Sequence, residues 1–221
     1  MIELETGPAP RYSVIWMHGL GADGSDFEPI VPYLGLSPSV PVRFVFPNAP
    51  QIPVTCNGGY VMPAWYDIIS LAPDSREIDE AGLLASRDAI AGLVAREVTR
   101  GISAEHIFLA GFSQGGAVAY LTGLSYAATL AGIIALSTYI PSPTQAAQLA
   151  TGASRETPLF IAHGTRDDVV SLTLGEKARD VVAELGYTFD WQTYPMGHEV
   201  CLPEIQAIGA WINARISNAT S

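Results

Sequence analysis

A serine between two glycines offers a reactive hydroxyl near the middle of the chain. The sequence GFSQG at residues 111–115 has the pattern G-x-S-x-G, with a strand-like run before it and a small-residue helical run after it. A tight turn from strand to helix exposes such a serine and points the first helical N–H groups toward a developing oxyanion. This context predicts that Ser113 is a nucleophile. The alternative is a glycine-rich turn that only lets helix and strand pack closely.

A serine hydroxyl needs a base to remove its proton and a third group to orient that base. His198 lies in a loop between the last predicted strand and the C-terminal helix. Loops at the carboxyl ends of parallel strands gather at one edge of the sheet, where Ser113 also emerges. His18 and His163 stand at strand ends before glycines and fit structural roles, and His106 precedes a strand and is expected to face solvent. The pattern therefore favours His198 as the base.

Two adjacent aspartates, Asp167 and Asp168, follow the predicted strand at 159–163 and are candidates for the third group. Only one of them can point toward His198, because neighbouring side chains diverge. The other fits a turn former or a helix cap. The spacing alone leaves the choice between the two aspartates open.

Acyl-transfer chemistry also needs hydrogen-bond donors for an oxyanion. The backbone N–H of Gln114, directly after the nucleophile, is one candidate, and the glycine-rich loop HGLG at residues 18–21 is expected to supply the second. That loop lacks the lysine and the glycine spacing of the nucleotide-binding loops, so nucleotide binding is disfavoured.

The elements that must position these residues alternate between strand and helix. This alternation predicts a mostly parallel, doubly wound α/β sheet with helices on both faces. The predicted strands cover residues 12–18, 42–46, 107–111, 132–137, 159–163 and 187–194, and the predicted helices cover 80–99, 176–185 and 203–216. Two long connections, 47–73 and 141–158, are expected to be functional loops.

Length and charge narrow the classes of function. The 221 residues predict a single domain, 1–221, and a net charge of −11 disfavours nucleic-acid binding. Two cysteines far apart and no evident signal peptide predict a reduced, cytoplasmic protein.

Residues 107–154 contain no charged side chain and no histidine, but polar residues and prolines interrupt the run. We expect this span to be the buried centre of the sheet, without stable membrane insertion.

Six ordered motifs resemble those of the carboxylesterase/phospholipase family of α/β hydrolases, which includes small bacterial carboxylesterases and acyl-protein thioesterases. The motifs are HGLGAD, NGGYVMPAWYDI, GFSQGGAVA, IALSTY, HGTRDDVV and YPMGHEV. The resemblance implies the α/β-hydrolase fold without a separate cap domain. It also implies a nucleophile at Ser113, an acid at Asp167, a base at His198, and oxyanion amides at Leu20 and Gln114.

The same resemblance implies a serine carboxylesterase that acts on small-molecule esters of short to medium acyl chains, with no metal or cofactor. The alternative in the same chemistry is an acyl-protein thioesterase or lysophospholipase. The negative charge argues mildly against work at anionic membranes. A more remote alternative is a non-catalytic ligand-binding protein with the hydrolase fold. Family members are often dimers, so a homodimer is also compatible with the resemblance.

The acyl-chain wall is expected in the 47–73 loop and just beyond the strand at 132–137. The apolar candidates for binding substrate are Met62, Trp65, Leu71 and Tyr139. For Trp65 the alternative is that it fills the edge of the core.

Overall fold

A computed structural model of the chain describes residues 1–72 and 75–218. Its strands are β1 (Ile2–Glu5), β2 (Tyr12–Met17), β3 (Val42–Phe46), β4 (Gln51–Val54), β5 (Tyr60–Pro63), β6 (Ile68–Ala72), β7 (Ser75–Ile78), β8 (Ile107–Phe112), β9 (Gly132–Leu136), β10 (Leu159–Gly164) and β11 (Phe189–Tyr194). Its helices are α1 (Glu80–Thr99), α2 (Gln114–Ser125), α3 (Pro143–Leu149), α4 (Leu172–Glu184) and α5 (Leu202–Asn218). The predicted strands and helices all form, with shifts of a few residues at some ends.

Seven strands form one sheet in the order β1-β3-β2-β8-β9-β10-β11, and all neighbours run parallel except β1, which is antiparallel to β3. The predicted doubly wound, mostly parallel sheet is confirmed. The edge strand β1 was not predicted, because its four residues alternate between half-buried and exposed positions and form no continuous apolar run.

Two hydrophobic clusters cover the two faces of the sheet. On β2, Ile15 and Met17 pack with α1 to α4, whereas Val14 and Trp16 pack with α5 and with a 3₁₀ segment, Glu28–Leu34. Successive strand residues point to opposite faces, so a strand buried on both sides is apolar throughout.

The span without charges, residues 107–154, is buried where it surrounds the turn that carries Ser113. Every residue of α2 from Gln114 to Leu124 is buried, and its neighbours β8 and β9 are buried along nearly their whole length. Within residues 1–72 and 75–218, no helix has the length and apolar character needed to cross a bilayer.

The 47–73 connection is more ordered than predicted. It contains two antiparallel hairpins, β4–β5 and the one that β6 begins with β7, and Pro73 lies outside the described residues. Prolines such as Pro53 and Pro63 weakened the strand signal, but a two-stranded ribbon tolerates them at positions that donate no ladder hydrogen bond. The other connection, 141–158, contains α3 and a short 3₁₀ turn, Ser154–Glu156.

Candidate active site

Ser113 stands at the turn between β8 and α2 in a strained conformation, with φ 54° and ψ −120°. A left-handed φ at a non-glycine residue persists only where the surroundings enforce it. Here the Ser113 N–H donates to Leu136 O at 2.9 Å, and its carbonyl accepts from Thr138 Oγ1 at 2.6 Å. The turn is thereby bonded on both sides to the end of β9, as a nucleophile elbow requires.

The two motif glycines allow close backbone contact. A Cβ at Gly111 would lie 2.2 Å from the carbonyl oxygen of Gly115, and a Cβ at Gly115 would lie 2.5 Å from the carbonyl oxygens of both Met17 and His18. Neither position has room for a side chain, so the first turn of α2 can lie directly against the end of β2.

The three residues expected to act together are in hydrogen-bond contact. His198 Nε2 lies 2.9 Å from Ser113 Oγ, and His198 Nδ1 lies 2.7 Å from Asp167 Oδ2. Because a carboxylate only accepts hydrogen bonds, Nδ1 carries the proton of the neutral ring, and Nε2 is the acceptor that faces the serine hydroxyl. Asp168, by contrast, is exposed. The geometry thus selects the first aspartate of the pair.

Asp167 is buried and anchored by the backbone. Its Oδ1 accepts hydrogen bonds from the N–H groups of Val169 at 3.0 Å and Val170 at 2.8 Å. Burial raises the pKa of this carboxyl, but the hydrogen bonds from His198 and from the two N–H groups more than compensate, and its net pKa is lowered. The aspartate is therefore ionised at neutral pH and held in one orientation.

The other two buried histidines make structural hydrogen bonds. His18 Nε2 accepts from the Ala49 N–H at 3.0 Å, so its Nδ1 is the donor to Gly19 O at 2.7 Å. His163 Nε2 donates to Val170 O at 2.8 Å. Burial lowers the pKa of both rings. Both histidines are therefore neutral at neutral pH and hold the backbone groups to which they are hydrogen-bonded.

The loop that carries Leu20 follows β2, and several hydrogen bonds tie it to the 47–73 segment. Trp65 Nε1 donates to His18 O at 2.8 Å, and the Gly21 N–H donates to Pro63 O at 2.8 Å. Leu20 and Gln114 both line the cavity above Ser113. The loop and the start of α2 therefore meet at the place where an oxyanion would form.

The side chain of Gln114 has a supporting role that the motif did not reveal. Its Oε1 accepts from the Trp65 N–H at 2.8 Å, and its Nε2 donates to Tyr66 O at 2.7 Å. The Gln114 side chain thus connects two parts of the site. One is the segment at residues 65–66, which holds the Leu20 loop, and the other is α2, which begins directly after Ser113. The available signal was an amide side chain directly after the candidate nucleophile, in a span without charges.

A cavity of about 400 Å³ opens over Ser113 and has a mostly apolar wall. Residues that contribute apolar surface to it include Leu20, Ile68, Leu71, Phe112, Tyr139 and Val170. Two of the four predicted substrate-binding residues, Leu71 and Tyr139, are in this lining.

Met62 and Trp65 do not belong to the cavity lining, which corrects their predicted place in the wall. Trp65 is only 4% exposed, and both of its nitrogens are engaged in the hydrogen bonds with Gln114 and His18, as the core alternative expected. Met62 pairs with Ile52 across the β4–β5 hairpin, and its sulfur contacts Asn57. The cross-strand register of Met62 and the hydrogen bonds of Trp65, which the sequence did not show, place these side chains outside the lining.

A buried carboxyl lies at the start of α5, just after the loop that carries His198. Glu204 is fully buried, and neither of its carboxyl oxygens has a hydrogen-bond partner of normal geometry among the described residues. Burial raises its pKa to about 8, and the nearby Cys201 N–H lowers it only in part. The protonated acid is therefore the dominant form at neutral pH.

Comparisons with known proteins point to one family. Residues 4–216 match the Phospholipase/Carboxylesterase family. Acyl-protein thioesterase 1 of Neurospora crassa is 41% identical over 212 residues, covering 92% of this chain and 86% of that protein. Carboxylesterase SOBER1 of Arabidopsis thaliana is 33% identical over 213 residues, covering 96% of this chain and 93% of that protein. The crystal structure of SOBER1 superposes with a TM-score of 0.88 and covers 93% of this chain and 99% of its own, at 33% identity.

Proposed function

The chain belongs to the phospholipase/carboxylesterase family of α/β hydrolases, and from this premise we propose that its single domain is a serine carboxylesterase for esters of short to medium acyl chains. The observation that carries the proposal is the continuous hydrogen-bond chain from Ser113 Oγ through His198 to Asp167, at the base of an apolar cavity. A hydroxyl with a neutral imidazole acceptor at 2.9 Å is an activated nucleophile.

In the acylation half of this reaction, Ser113 Oγ attacks the ester carbonyl while His198 Nε2 accepts its proton. Asp167 stabilises the imidazolium that forms, because its carboxylate is ionised and already bonded to Nδ1. The imidazolium then protonates the leaving alcohol. In deacylation His198 removes a proton from water, which attacks the acyl group on Ser113.

The oxyanion is proposed to bind the backbone N–H groups of Leu20 and Gln114. The second of these lies at the N-terminal end of α2, where the helix dipole also favours negative charge. Loss of one such donor typically costs about 10²–10³-fold in kcat. No part of this sequence of steps requires a metal ion or a cofactor.

The acyl chain is proposed to occupy the cavity, with Leu71 and Tyr139 in its wall. An apolar space of about 400 Å³ is of the size that holds small ligands. Acyl-protein thioesterase activity is the second candidate, favoured by the 41% identity to the Neurospora crassa protein of that name. The same residues would serve it, with a thiol as leaving group.

Cellular location and assembly are proposed from the cysteines and from the exposed apolar surface. Cys56 and Cys201 are both free thiols, which fits a reducing cytoplasm. Exposed apolar side chains on the hairpins, including Tyr60, Val61 and Leu71, offer a surface on which a homodimer would form. The molar mass in solution tests the dimer directly.

The test of function compares matched oxygen esters and thioesters over a series of acyl-chain lengths. We expect kcat/KM to be highest for oxygen esters of short to medium chains and Ser113→Ala to abolish turnover while the fold is kept. Ser103→Ala, an exposed serine outside the site, is the control and should be fully active. A preference for long-chain thioesters would replace the esterase with the thioesterase, and retained activity in Ser113→Ala would refute the mechanism.

A further inference from the structure

A second histidine, His163, lies beside the acid of the site. It is near the end of β10 and is only 1% exposed. Its Nε2 lies 3.6 Å from Asp167 Oδ2, the oxygen that accepts from His198 at 2.7 Å. One carboxylate oxygen therefore has two imidazole rings close to it, whereas the proposed reaction steps use only His198.

A hydrogen bond connects His163 to the turn that binds Asp167. His163 Nε2 donates to Val170 O at 2.8 Å, and the Val170 N–H donates to Asp167 Oδ1 at 2.8 Å. The same buried residue thus accepts from the imidazole and donates to the carboxylate. A shift of its carbonyl would also move the N–H that holds the acid.

The bond to Val170 determines the tautomer of His163. Because a carbonyl only accepts hydrogen bonds, Nε2 carries the proton and Nδ1 has a free lone pair. Nδ1 lies against the first turn of α4, where a Cβ at Gly175 would clash with it. The positive end of the helix dipole disfavours a proton at this nitrogen.

The ring of His163 is therefore neutral. Burial lowers its pKa, and the negative charge of Asp167 raises that pKa only in part. A charged His163 would compete with His198 for the same carboxylate. The neutral ring leaves the charge of Asp167 to the imidazolium that forms at His198 during the reaction.

Packing alone does not account for a histidine at this position. Among the described residues, His163 Nδ1 has no hydrogen-bond partner. A buried polar atom without a partner destabilises the fold, and an apolar side chain would avoid that cost. What the imidazole adds to an apolar side chain is the N–H that it donates to Val170.

We propose that His163 is a positioning residue for Asp167. Its Nε2–H holds Val170 in place, so that the carboxylate keeps the orientation in which Oδ2 accepts from His198. His163 is not part of the cavity lining, so it acts through Asp167 and not on the substrate. This inference rests on the proposed esterase function and adds a residue to its machinery.

The test measures kcat and KM of His163→Leu for p-nitrophenyl butyrate, with and without Asp167→Asn. Alone, His163→Leu should lower kcat about tenfold or more with KM nearly unchanged, because the acid loses its orientation. In the Asp167→Asn background, followed by single turnovers, the same change should cost less than about threefold, because its effect passes through the carboxylate.

Two further variants separate this role from a general loss of packing. His163→Gln places an amide N–H where the ring has Nε2–H and should recover most of the rate. Ser154→Ala removes a buried hydrogen bond to Leu124 O, of 2.6 Å, near the end of α2 remote from Ser113. That control should keep the wild-type kcat.

An unchanged kcat in His163→Leu, a loss in KM alone, an equal loss in both backgrounds, or equal losses in the leucine and glutamine variants overturns the positioning role. Each of these outcomes leaves the proposed function intact, because the wild type still hydrolyses the ester. A wild type without ester hydrolysis overturns both.

A measurement on the wild type avoids any folding defect of the variants. Nitrogen-15 NMR of the imidazoles should show a neutral His163 with its proton on Nε2 at about pH 7. That N–H signal should shift in Asp167→Asn, which removes a charge 3.6 Å away. A charged ring, a proton on Nδ1 or an unshifted signal refutes the inference.

Discussion

Glu204→Gln should remove the loss of stability that this carboxyl causes between about pH 4.5 and about pH 8. Glu204 is fully buried, its oxygens have no hydrogen-bond partner of normal geometry among the described residues, and burial raises its pKa to about 8. In the unfolded chain the carboxyl has its ordinary pKa of about 4.3. When folding raises the pKa of an acid, the fold loses stability over the pH range in which the unfolded chain has released the proton and the folded protein still holds it.

The sign and size follow from proton linkage. As the pH rises above the ordinary pKa, the unfolded state releases the proton and the folded state keeps it, so the contribution of Glu204 to the free energy of unfolding falls until about pH 8 and then levels off. At about 1.4 kcal/mol per pKa unit the loss approaches about 5 kcal/mol, an upper bound because local relaxation hydrates the ion. Glutamine has the same size and no charge, so its contribution does not change with pH.

The assay is urea unfolding of the wild type and the variant at about pH 5 and about pH 8.5. Glu204→Gln should gain at least about 2 kcal/mol relative to the wild type between the lower and the higher pH. Glu184→Gln, at an exposed position of α4, is the control and should show no such gain. The same difference in free energy at both pH values would show that Glu204 is not a buried neutral acid.

Three further changes probe the site. Asp167→Asn should lower kcat for ester hydrolysis by about 10⁴-fold, because the imidazole loses its oriented tautomer, whereas the exposed Asp168→Asn should change it little; equal effects would contradict the choice of acid. Trp65→Phe removes the hydrogen bond to His18 O and should lower kcat by about tenfold with KM nearly unchanged, and a pure KM effect would speak against a role in holding the oxyanion loop. Gly115→Ala places a Cβ 2.5 Å from two carbonyl oxygens and should lower the thermal midpoint by about 6–12 °C at about 3 kcal/mol of strain, so an unchanged midpoint would refute the close packing.

The strands and helices of the main sheet were predictable because their burial is nearly complete. A strand such as β8, covered on both faces, is apolar at almost every position, and α1 begins and ends at the predicted residues 80 and 99. The edge strand β1 and the two hairpins were missed, since half-exposed strands and prolines give a weak pattern.

Two residues of the candidate site could be predicted from the sequence. G-x-S-x-G between a strand and a helix indicates a nucleophile elbow at Ser113, because glycine on both sides leaves room for the close backbone contacts of that turn. A histidine after the last strand indicates His198, because parallel strands bring their carboxyl ends to one edge. These are local signals combined with one rule of topology.

Only the tertiary structure decided which side chains meet. Asp167 and Asp168 are equivalent by spacing, and the backbone N–H groups of the following turn select the first by binding its carboxylate. The sequence motif likewise could not place Trp65. Its hydrogen bonds hold the Leu20 loop, so the side chain does not lie in the cavity wall where it was expected. Side-chain direction depends on contacts between segments far apart in the chain, and those contacts exist only once the sheet and its hairpins have assembled.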